Sequence, residues 1–556
     1  MNQGRRNAAR WLGFGLLALL IGLAWLNGLD GAFTYDDKVE VVGNRTIRTL
    51  GHWNAVVGYN ASRPLVILSW ALDWRLWGLE PFGYHLVNVL IHALNAGLVF
   101  LLGEALGRRL ELPRPMFPAL AAAALWAVHP MTTEAVTYIT GRSESLCATF
   151  YLGAVICWLR WRRSSDGFQL LLALLAFLLG AATKEVAATI PATLLVIELL
   201  LPGQRPMGRR GWLSLAPFWA ILLAGAIARK LMYGVLTTDL WLRPLGVQLA
   251  TEAEVVLRYI QLWLLPVGQS VFHDHPAAAG FLQTRALLAT AVIVAGVALA
   301  LWQRRQRPWL AFGAAWFLIL LAPSSSFVPL KETMAEHRAY LAGWGLIFAG
   351  VMALRPLLAR RPRTAGAMAA VTVLLLTAGT HLRNRTWDSE ISLWQNAVER
   401  NPSSAEAWYG YGDAQRFSGS FDGAIEAYRR AVELDDLFLD AWNNLGIAMA
   451  EQGRIEDAER TWLATLERHP TYCRAHNNLG WLYYRQRAWE DAIVEFRTTL
   501  VYCPENTQAH FALGNIYFEP RRDPQRALHH YHAVLVTDPA FPERSLIEER
   551  ERQLTF

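Results

Sequence analysis

Two adjacent carboxylates near the start of the chain, in the stretch TYDDK at residues 34–38, are well suited to chemistry. They follow the first apolar run by only a few residues, which puts them at one end of a predicted membrane span. A carboxylate there can take a proton from a hydroxyl or bind a cation. Two solvated loop acids are the alternative. Because neighbouring side chains point in different directions, one of Asp36 and Asp37 should dominate, and we favour Asp36.

Membrane-spanning helices must position that pair. The 556 residues are 53% hydrophobic and 12% aromatic, with 24 Trp, a membrane composition diluted by a soluble part. Trp11 to Leu29 can span a bilayer, and the absence of a small-residue cleavage site after it favours an uncleaved helix over a signal peptide. Hydropathy predicts about eleven spans. The other ten lie near 84–106, 116–128, 146–161, 168–182, 186–201, 212–232, 284–302, 309–322, 339–354 and 365–380.

Arginine-rich loops orient these spans. Every second connection is basic, with 19 arginines against three acids in and around these loops, Glu104, Glu111 and Asp166, so the positive-inside rule places them in the cytoplasm. The alternation holds only if the apolar segment 252–268 stays in the outer leaflet. The net charge of +6 therefore reflects topology, and we expect no nucleic-acid partner. The basic loops are 5–10, 108–114, 160–163, 205–210, 304–307 and 355–363.

The same orientation gathers charges of both signs on the outer side. Ionisable groups at membrane depth are costly unless paired or hydrated, so this group predicts a cavity, with ordinary loop charges as the alternative. Lys184 stands out because the chain has only four lysines, at 38, 184, 230 and 331. Besides the aspartates, the outer group comprises His129, Glu134, Arg142, Glu144, Lys184, Glu185, His273, Lys331, Glu336, His337 and Arg338.

A helical pattern lies between the first two spans. Trp70, Trp74 and Trp77 share one face with Ile67, while Asp73 and the arginine after Trp74 are expected to point elsewhere. The pattern predicts an amphipathic helix that either lies on the outer membrane surface or packs against neighbouring helices.

The second span has His85, Asn88, His92 and Asn95 near one face. Two histidines seven residues apart do not converge on a metal, so we expect these side chains to form hydrogen bonds between helices. The stretch HDHP at 273–276 is interpreted as an outer loop turn closed by proline.

After residue 381 the composition becomes polar and a repeat of 34 residues appears. Gly412, Gly446, Gly480 and Gly514 each follow a Trp or His by four residues and precede a small Ala. This is the tetratricopeptide signature, a stack of helix pairs with a concave surface for peptides or partner proteins. The repeats are predicted near 405–438, 439–472, 473–506 and 507–541. They should be extracytoplasmic, because the eleventh span runs outward.

The four cysteines fall into two groups. Cys147 and Cys157 lie in a predicted span and should be small core residues. Cys473 begins the third repeat and Cys503 ends it, which puts them at the same end of a helix pair. A disulfide between them is geometrically allowed in an oxidising compartment, and two free thiols are the alternative.

Several stretches resemble the transmembrane and tetratricopeptide repeat-containing glycosyltransferases, relatives of the protein O-mannosyltransferases with the GT-C membrane fold. The resemblance runs from end to end and implies an all-α chain, with a polytopic GT-C-like domain at 1–382 and a repeat domain at 383–556. Arg-for-Lys usage favours a bacterial member. The matching stretches are FTYDDKVEVVGN (33–44), SRPLVILSWALDWRLWGLEPFGYHLVNVLIHAL (62–94), HPMTTEAVTYITGRSE (129–144), TKE (183–185), EHRAYLAG (336–343) and RNRTWDSEISLW (383–394).

The resemblance implies transfer of a monosaccharide from a polyprenyl-phosphate donor to a hydroxyl of a protein acceptor, with inversion, at the periplasmic face of the inner membrane. Asp36 or Asp37 would be the base. The donor phosphate would meet Arg142, Lys184, His337, Arg338 and His129, and the orienting or acceptor-binding carboxylates would be Glu134, Glu185 and Glu336. Salt bridges among these residues are the alternative, Lys184 with Glu185 for example. A divalent cation, Mg²⁺ or Mn²⁺, could bind between Asp37 and Glu134 but is not required.

Two departures from the family pattern bear on acceptor choice rather than on reaction type. The stretch AYLAG stands where a Pro-Ser pair is commoner, and only about four repeats are present. The competing functions are a polymerase or ligase of lipid-linked polysaccharide and a non-enzymatic repeat scaffold. The first would need a large basic outer loop, and the longest candidate, 233–283, is poor in Arg. The second would need only one span. No nucleotide-binding motif is present.

Overall fold

A computed structural model describes residues 3–48, 53–201, 207–233, 243–325, 329–330 and 332–555. Lys331, Arg205 and residues 234–242 of the long outer segment lie outside these ranges. The described chain is helical and divides into two compact units, Met1–Arg400 and Asn401–Phe556. The division falls 18 residues after the predicted boundary at 382/383, because residues 383–400 pack with the first unit.

The first unit contains seventeen described α-helices. They are α1 Gln3–Trp25, α2 Trp53–Tyr59, α3 Pro64–Trp77, α4 Pro81–Arg109, α5 Met116–Ala127, α6 Thr133–Val136, α7 Arg142–Ser164, α8 Gly167–Ala181, α9 Ile190–Leu200, α10 Arg209–Leu213, α11 Ala216–Tyr233, α12 Leu245–Leu264, α13 Thr284–Trp302, α14 Pro308–Leu321, α15 Ala342–Arg360, α16 Pro362–Asn384 and α17 Glu390–Arg400. Short 3₁₀ turns include Glu185–Thr189, Glu336–Ala339 and Arg385–Trp387, and a π-helical turn spans Lys38–Val42.

Five described helices are long and apolar enough to cross a membrane. They lie at Gly4–Gly28, Pro81–Arg109, Arg209–Leu231, Thr284–Trp302 and Pro362–Trp387. Four more apolar helices are shorter, at Met116–Ala127, Gly167–Ala181, Pro308–Leu321 and Ala342–Leu357. The segment predicted not to cross, 252–268, belongs largely to α12, which is not among the five.

The polar residues on α4 form the hydrogen bonds expected of them. His92 contacts the Tyr340 hydroxyl through Nδ1 (2.7 Å) and the Ala127 carbonyl through Nε2 (2.9 Å), and Asn95 donates to the Ser145 carbonyl (2.7 Å). His85 and Asn88 likewise bond to backbone carbonyls outside α4. Burial without such partners would cost about 1–3 kcal/mol per group, so these bonds join α4 to its neighbours.

Helix α3 packs inward, and one expectation about it is wrong. Ile67 and Trp70 are buried as part of a small core, with Trp74 packed beside them. Asp73, expected to point away from that face, is also buried and forms an ion pair with Arg142 of α7. The charge pattern of a single helix could not show this, because the buried partner lies 69 residues away in the sequence.

The second unit consists of antiparallel helix pairs. The helices are α18 Ala405–Phe417, α19 Phe421–Leu434, α20 Leu439–Glu451, α21 Ile455–Arg468, α22 Cys473–Arg485, α23 Trp489–Tyr502, α24 Thr507–Phe518, α25 Pro524–Thr537 and α26 Arg544–Thr555. The first eight form the four predicted repeats, and α26 packs on the last.

The repeat glycines and the residues four positions earlier have distinct roles. A Cβ on Gly480 would lie 2.7 Å from the Phe496 ring, so only glycine lets these helices approach so closely. The ring nitrogens of Trp408, Trp442, His476 and His510 each bond to a carbonyl six residues earlier, at 3.0–3.1 Å. His can replace Trp here because both rings offer an N–H donor. Cys473 and Cys503 form a disulfide, with Cα atoms 6.1 Å apart.

Candidate functional site

The two aspartates after the first helix differ in exposure. Asp37 is fully buried, and its carboxylate accepts hydrogen bonds from the backbone N–H of Thr34 (3.2 Å) and from the backbone N–H (2.8 Å) and hydroxyl of Thr140. Burial raises the pKa of Asp37 to about 7, although these donors act against it. Asp37 therefore joins the first loop to the loop before α7.

Asp36 is exposed on the same loop. Its backbone N–H donates to the Tyr138 hydroxyl (3.2 Å), and the carboxyls of Glu332 and Glu390 lie close enough to interact with its charge. Partial desolvation and these two negative charges raise the pKa of Asp36, while a hydrogen bond from Tyr138 lowers it. Of the pair, Asp36 is the carboxylate that a ligand can reach.

Tyr35, just before Asp36, has a positive φ of 52°. A bulky side chain rarely adopts this left-handed conformation, and it persists only where surrounding contacts hold it. The Tyr35 hydroxyl donates to Glu332 (2.9 Å) and its backbone N–H donates to Glu390 (3.1 Å). The local backbone is therefore held from both sides.

Two glutamates predicted to orient ligands lie together near His337. Glu134 is buried and contacts His337 at the backbone N–H (3.1 Å) and at Nδ1 (2.6 Å). Burial and the neighbouring carboxylate of Glu336 raise the pKa of Glu134, and burial lowers the pKa of His337. Both shifts favour an uncharged pair, in which a protonated Glu134 carboxyl bonds to a neutral His337 ring. His337 therefore lacks the full charge expected of a phosphate ligand.

Glu336 is held in its charged form. Its carboxylate accepts from Gln269 Nε2 (2.7 Å), the Ser270 backbone N–H (2.8 Å) and His273 Nε2 (2.8 Å). Burial acts to raise its pKa, but the hydrogen bond from His273 and the positive charge of Arg383 outweigh it, and the net shift is downward. Glu336 thus fixes the segment around His273 against the 336–339 turn.

Lys184 and Arg338 are the predicted cations that lie nearest this group. Lys184 is buried and pairs with Glu144 (2.7 Å), not with Glu185, and its charge reaches His337. Arg338 donates to the carbonyls of Glu332 (3.1 Å) and Thr333 (3.5 Å). Both cations lie within interaction range of His337.

Three predicted site residues lie apart from that group or have their polar atoms occupied. Arg142 has no exposed surface and bonds to Asn88, the Tyr84 carbonyl and Asp73. His129 is also buried, and burial lowers its pKa to about 3. The Met131 N–H donates to its Nδ1, so Nε2 carries the proton toward the Trp263 carbonyl (3.1 Å).

The third of these, Glu185, is exposed and pairs with Arg63 at 3.3 Å. It lies at the start of a 3₁₀ turn, next in sequence to Lys184 but directed to a different partner. The ion-pair partners of Lys184 and Glu185 are therefore different residues, although the charge of Lys184 still helps to lower the pKa of Glu185.

The pair suggested for a cation, Asp37 and Glu134, does not fit one. The oxygens of both carboxyl groups are already engaged in hydrogen bonds within the protein, those of Asp37 with Thr34 and Thr140 and those of Glu134 with His337. Within the described ranges no group of three or more His, Cys, Asp or Glu side chains is arranged to hold a metal ion. We therefore derive no chemical step through a cation.

Several residues of this region were not singled out from the sequence. Tyr138, Glu332, Arg383 and Glu390 surround the first loop or the Glu134 group, and they come from three separate segments. The signals in the sequence were the position of Tyr138 inside HPMTTEAVTYITGRSE, of Arg383 and Glu390 inside RNRTWDSEISLW, and of Glu332 close to the EHRAYLAG stretch.

Comparisons with known proteins identify the repeats and a group of relatives. A tetratricopeptide repeat family model matches residues 380–437, 413–472 and 443–499. A protein O-mannosyl-transferase of Drosophila melanogaster is 34% identical over 178 residues, which is 30% of this chain and 20% of the relative. One from Caenorhabditis elegans is 25% identical over 443 residues, or 74% of this chain and 60% of the relative. The chain is related to these membrane glycosyltransferases over part of their length.

A solved structure of MamA is 21% identical and covers 26% of this chain and 85% of its own, with a TM-score of 0.24. A likeness this low supports no conclusion about the fold. The chain spans between about a fifth and three fifths of the length of the curated relatives.

Proposed function

We propose that this chain is a membrane glycosyltransferase that moves a monosaccharide from a polyprenyl-phosphate donor to a hydroxyl of a protein acceptor, with inversion. The observation that carries the proposal is the exposed Asp36 on a loop that the buried Asp37 anchors. The similarity of the chain to protein O-mannosyl-transferases supports glycosyl transfer as the reaction class.

In the proposed step, the acceptor hydroxyl gives its proton to the Asp36 carboxylate as its oxygen attacks the anomeric carbon. The bond from that carbon to the phosphate oxygen breaks, and the polyprenyl phosphate leaves with the electron pair. Attack from the face opposite the phosphate inverts the configuration. The raised pKa of Asp36 suits this role, because a more basic carboxylate takes a proton more readily.

Lys184 and Arg338 are our candidates to stabilise the departing phosphate, because both are cations near His337. Fixed positive charge is worth most where negative charge grows in the transition state. Arg142 and His129 are given structural roles in this proposal, since Arg142 has no exposed surface and burial keeps His129 neutral by lowering its pKa to about 3.

We further propose that the site and the repeats lie outside the cytoplasm, in a chain with about eleven spans in a bacterial inner membrane. The disulfide between Cys473 and Cys503 supports this side for the repeats, because disulfides persist in oxidising compartments. Tetratricopeptide repeats bind proteins, and here they would recruit the acceptor.

The test compares extracytoplasmic proteins and glycans by mass spectrometry in cells carrying the wild type, Asp36→Asn or Asp30→Asn. Asp30 is an exposed acid six residues earlier and serves as the control. We expect loss of a hexose-type modification only with Asp36→Asn, and with purified protein a rate about 10²–10⁴-fold lower. Equal modification in all three strains would exclude the transferase, and a change confined to polysaccharide would favour the polymerase or ligase.

The pH dependence of the purified enzyme offers a second test of the base. Asp36 must be ionised to accept a proton, so kcat/KM should fall as the pH falls through its pKa. Because that pKa is raised, the acid limb should lie above the ordinary carboxyl value of 3.8. A rate that stays constant down to pH 4 would contradict this assignment.

A further inference from the structure

Glu390, the first residue of α17, contacts the loop on both sides of the aspartate pair. Its Oε2 accepts from the Tyr35 backbone N–H (3.1 Å) and pairs with Lys38 Nζ (3.0 Å). Its Oε1 accepts from Trp394 Nε1 (2.9 Å), one turn further along α17. The carboxylate thus ties residues 35 and 38 to a helix 355 residues away.

The contact between Glu390 and Tyr35 matters because the backbone of Tyr35 is left-handed. A residue held in a sparsely populated backbone conformation is strained, and it persists only where surrounding contacts outweigh that strain. Glu390 supplies a charge-assisted acceptor to the very N–H of Tyr35, and the Trp394 ring packs on the Tyr35 ring at 5.7 Å. Loss of Glu390 would therefore let the backbone before Asp36 relax.

The residues just before α17 strengthen the same attachment. Trp387 stacks on Tyr138 at 5.1 Å, the ring whose hydroxyl accepts from the Asp36 N–H. Asn384 accepts from the Thr137 hydroxyl (2.9 Å) and donates to the Ala24 carbonyl (2.9 Å). The segment 384–394 is thus bonded to the end of the first helix, to the first loop and to the loop before α7.

We propose that Glu390 is a positioning residue for Asp36: through Tyr35 and Lys38 it holds the proposed base in the orientation that meets the acceptor hydroxyl. This inference rests on the proposed function. Glu390 need not touch the substrate, so its loss should lower kcat more than it changes KM for the donor. A small displacement of a catalytic group can cost a factor of about 10–100 in rate.

The charge of Glu390 supplies a readout that a purely structural role would not change. Removing this negative charge, and leaving Lys38 without it, should lower the pKa of Asp36 and move the acid limb of kcat/KM to lower pH. Among the described residues, the ionisable groups that interact with Asp36 are Tyr35, Asp37, Glu40, Tyr138, Glu332 and Glu390, while Glu134 acts on Tyr35, Arg63 acts on Glu40 and Lys38 pairs with Glu390. Of these, only Glu390 is changed in the test.

The experiment uses the full-length purified protein with a polyprenyl-phosphate sugar and an acceptor peptide. Glu390→Ala removes all three contacts, Glu390→Gln keeps the shape but not the charge, and Glu399→Ala changes an exposed acid of the same helix. We expect kcat about 10–100-fold lower in Glu390→Ala, an intermediate kcat with the acid limb shifted to lower pH in Glu390→Gln, and wild-type values in Glu399→Ala.

Two outcomes would overturn the inference. One is a wild-type kcat in Glu390→Ala. The other is an acid limb of kcat/KM at the wild-type pH in Glu390→Gln, provided that this variant unfolds at the same temperature as the wild type. If Glu390→Ala does not fold, the acid limb of Glu390→Gln tests the proposal. Failure of the proposed function differs, because the wild type would then show no transfer or Asp36→Asn would retain it.

Discussion

At the scale of single residues, Asp36 and Asp37 show how neighbours take different roles. Asp37 is buried and accepts hydrogen bonds from Thr34 and Thr140, while Asp36 is exposed beside Tyr138. The pair stands where the first loop enters a π-helical turn, so successive side chains diverge. One residue anchors the loop, and its neighbour stays accessible for the proposed chemistry.

The anchoring role predicts a stability effect for Asp37. Replacing Asp37 by Ala leaves the Thr34 and Thr140 donors without partners, which should lower the free energy of unfolding by about 1–3 kcal/mol. Asp36→Ala, the matched control, should change it little. Unfolding monitored in detergent measures both. A variant at position 37 as stable as the wild type would contradict the anchor.

The same residue predicts a pH dependence of stability. The folded pKa of Asp37, about 7, is above that of an unfolded aspartate, so between about pH 4 and pH 7 the folded state binds more protons. Stability from this residue is therefore present below pH 4 and lost as the pH rises through 7. We expect the wild-type unfolding midpoint to fall more over this range than that of Asp37→Ala.

At the scale of helices, the ion pair between Asp73 and Arg142 joins α3 to α7. Both side chains are buried, and Arg142 also bonds to Asn88 and the Tyr84 carbonyl of α4. Three helices therefore meet at one guanidinium. A buried charge of this kind stabilises the junction only while its partner is present.

This junction can be tested with a double-mutant cycle. Arg142→Met or Asp73→Asn alone leaves a buried charge without its partner and should destabilise the protein by about 3–5 kcal/mol. The double variant should recover part of that loss in stability and in transferase activity. Additive losses, with activity abolished by Arg142→Met in either background, would instead favour a phosphate-binding role for Arg142.

At the scale of the whole molecule, the chain combines membrane helices with a repeat array. Five described helices are long and apolar enough to span a membrane. The repeats consist of paired helices, and the third repeat contains the disulfide between Cys473 and Cys503. The bond links positions 30 residues apart within the third repeat. A cross-link of this length restricts the unfolded chain and should add about 2–4 kcal/mol of stability.

Thiol chemistry tests the bond and its compartment together. In unreduced protein purified from membranes, denaturation should reveal two thiols, those of Cys147 and Cys157, and reduction should reveal two more. Cys473→Ser should lower the unfolding temperature of the repeats, and Cys147→Ser serves as control. Four free thiols before reduction would contradict both the disulfide and the proposed extracytoplasmic side.

Local sequence patterns were sufficient to predict the repeat helices and several contacts of this protein. The 34-residue spacing predicted the helix pairs of all four repeats, because their packing depends on glycine and small residues at fixed positions. The polar face of α4 was predicted to form hydrogen bonds between helices, and it does. The sequence also located the aspartate pair just after the first helix.

Pairings between distant segments were decided only by the tertiary structure. Lys184 pairs with Glu144 rather than with its neighbour Glu185, and Asp73 turns inward to Arg142. Glu390 reaches Tyr35 across 355 residues. Helix periodicity and charge spacing indicate which face of its helix a residue lies on. The ion-pair partner of that residue depends on which helices pack together. By itself the sequence determined the repeat helices and the location of the aspartates, and packing decided which aspartate is exposed and what holds it.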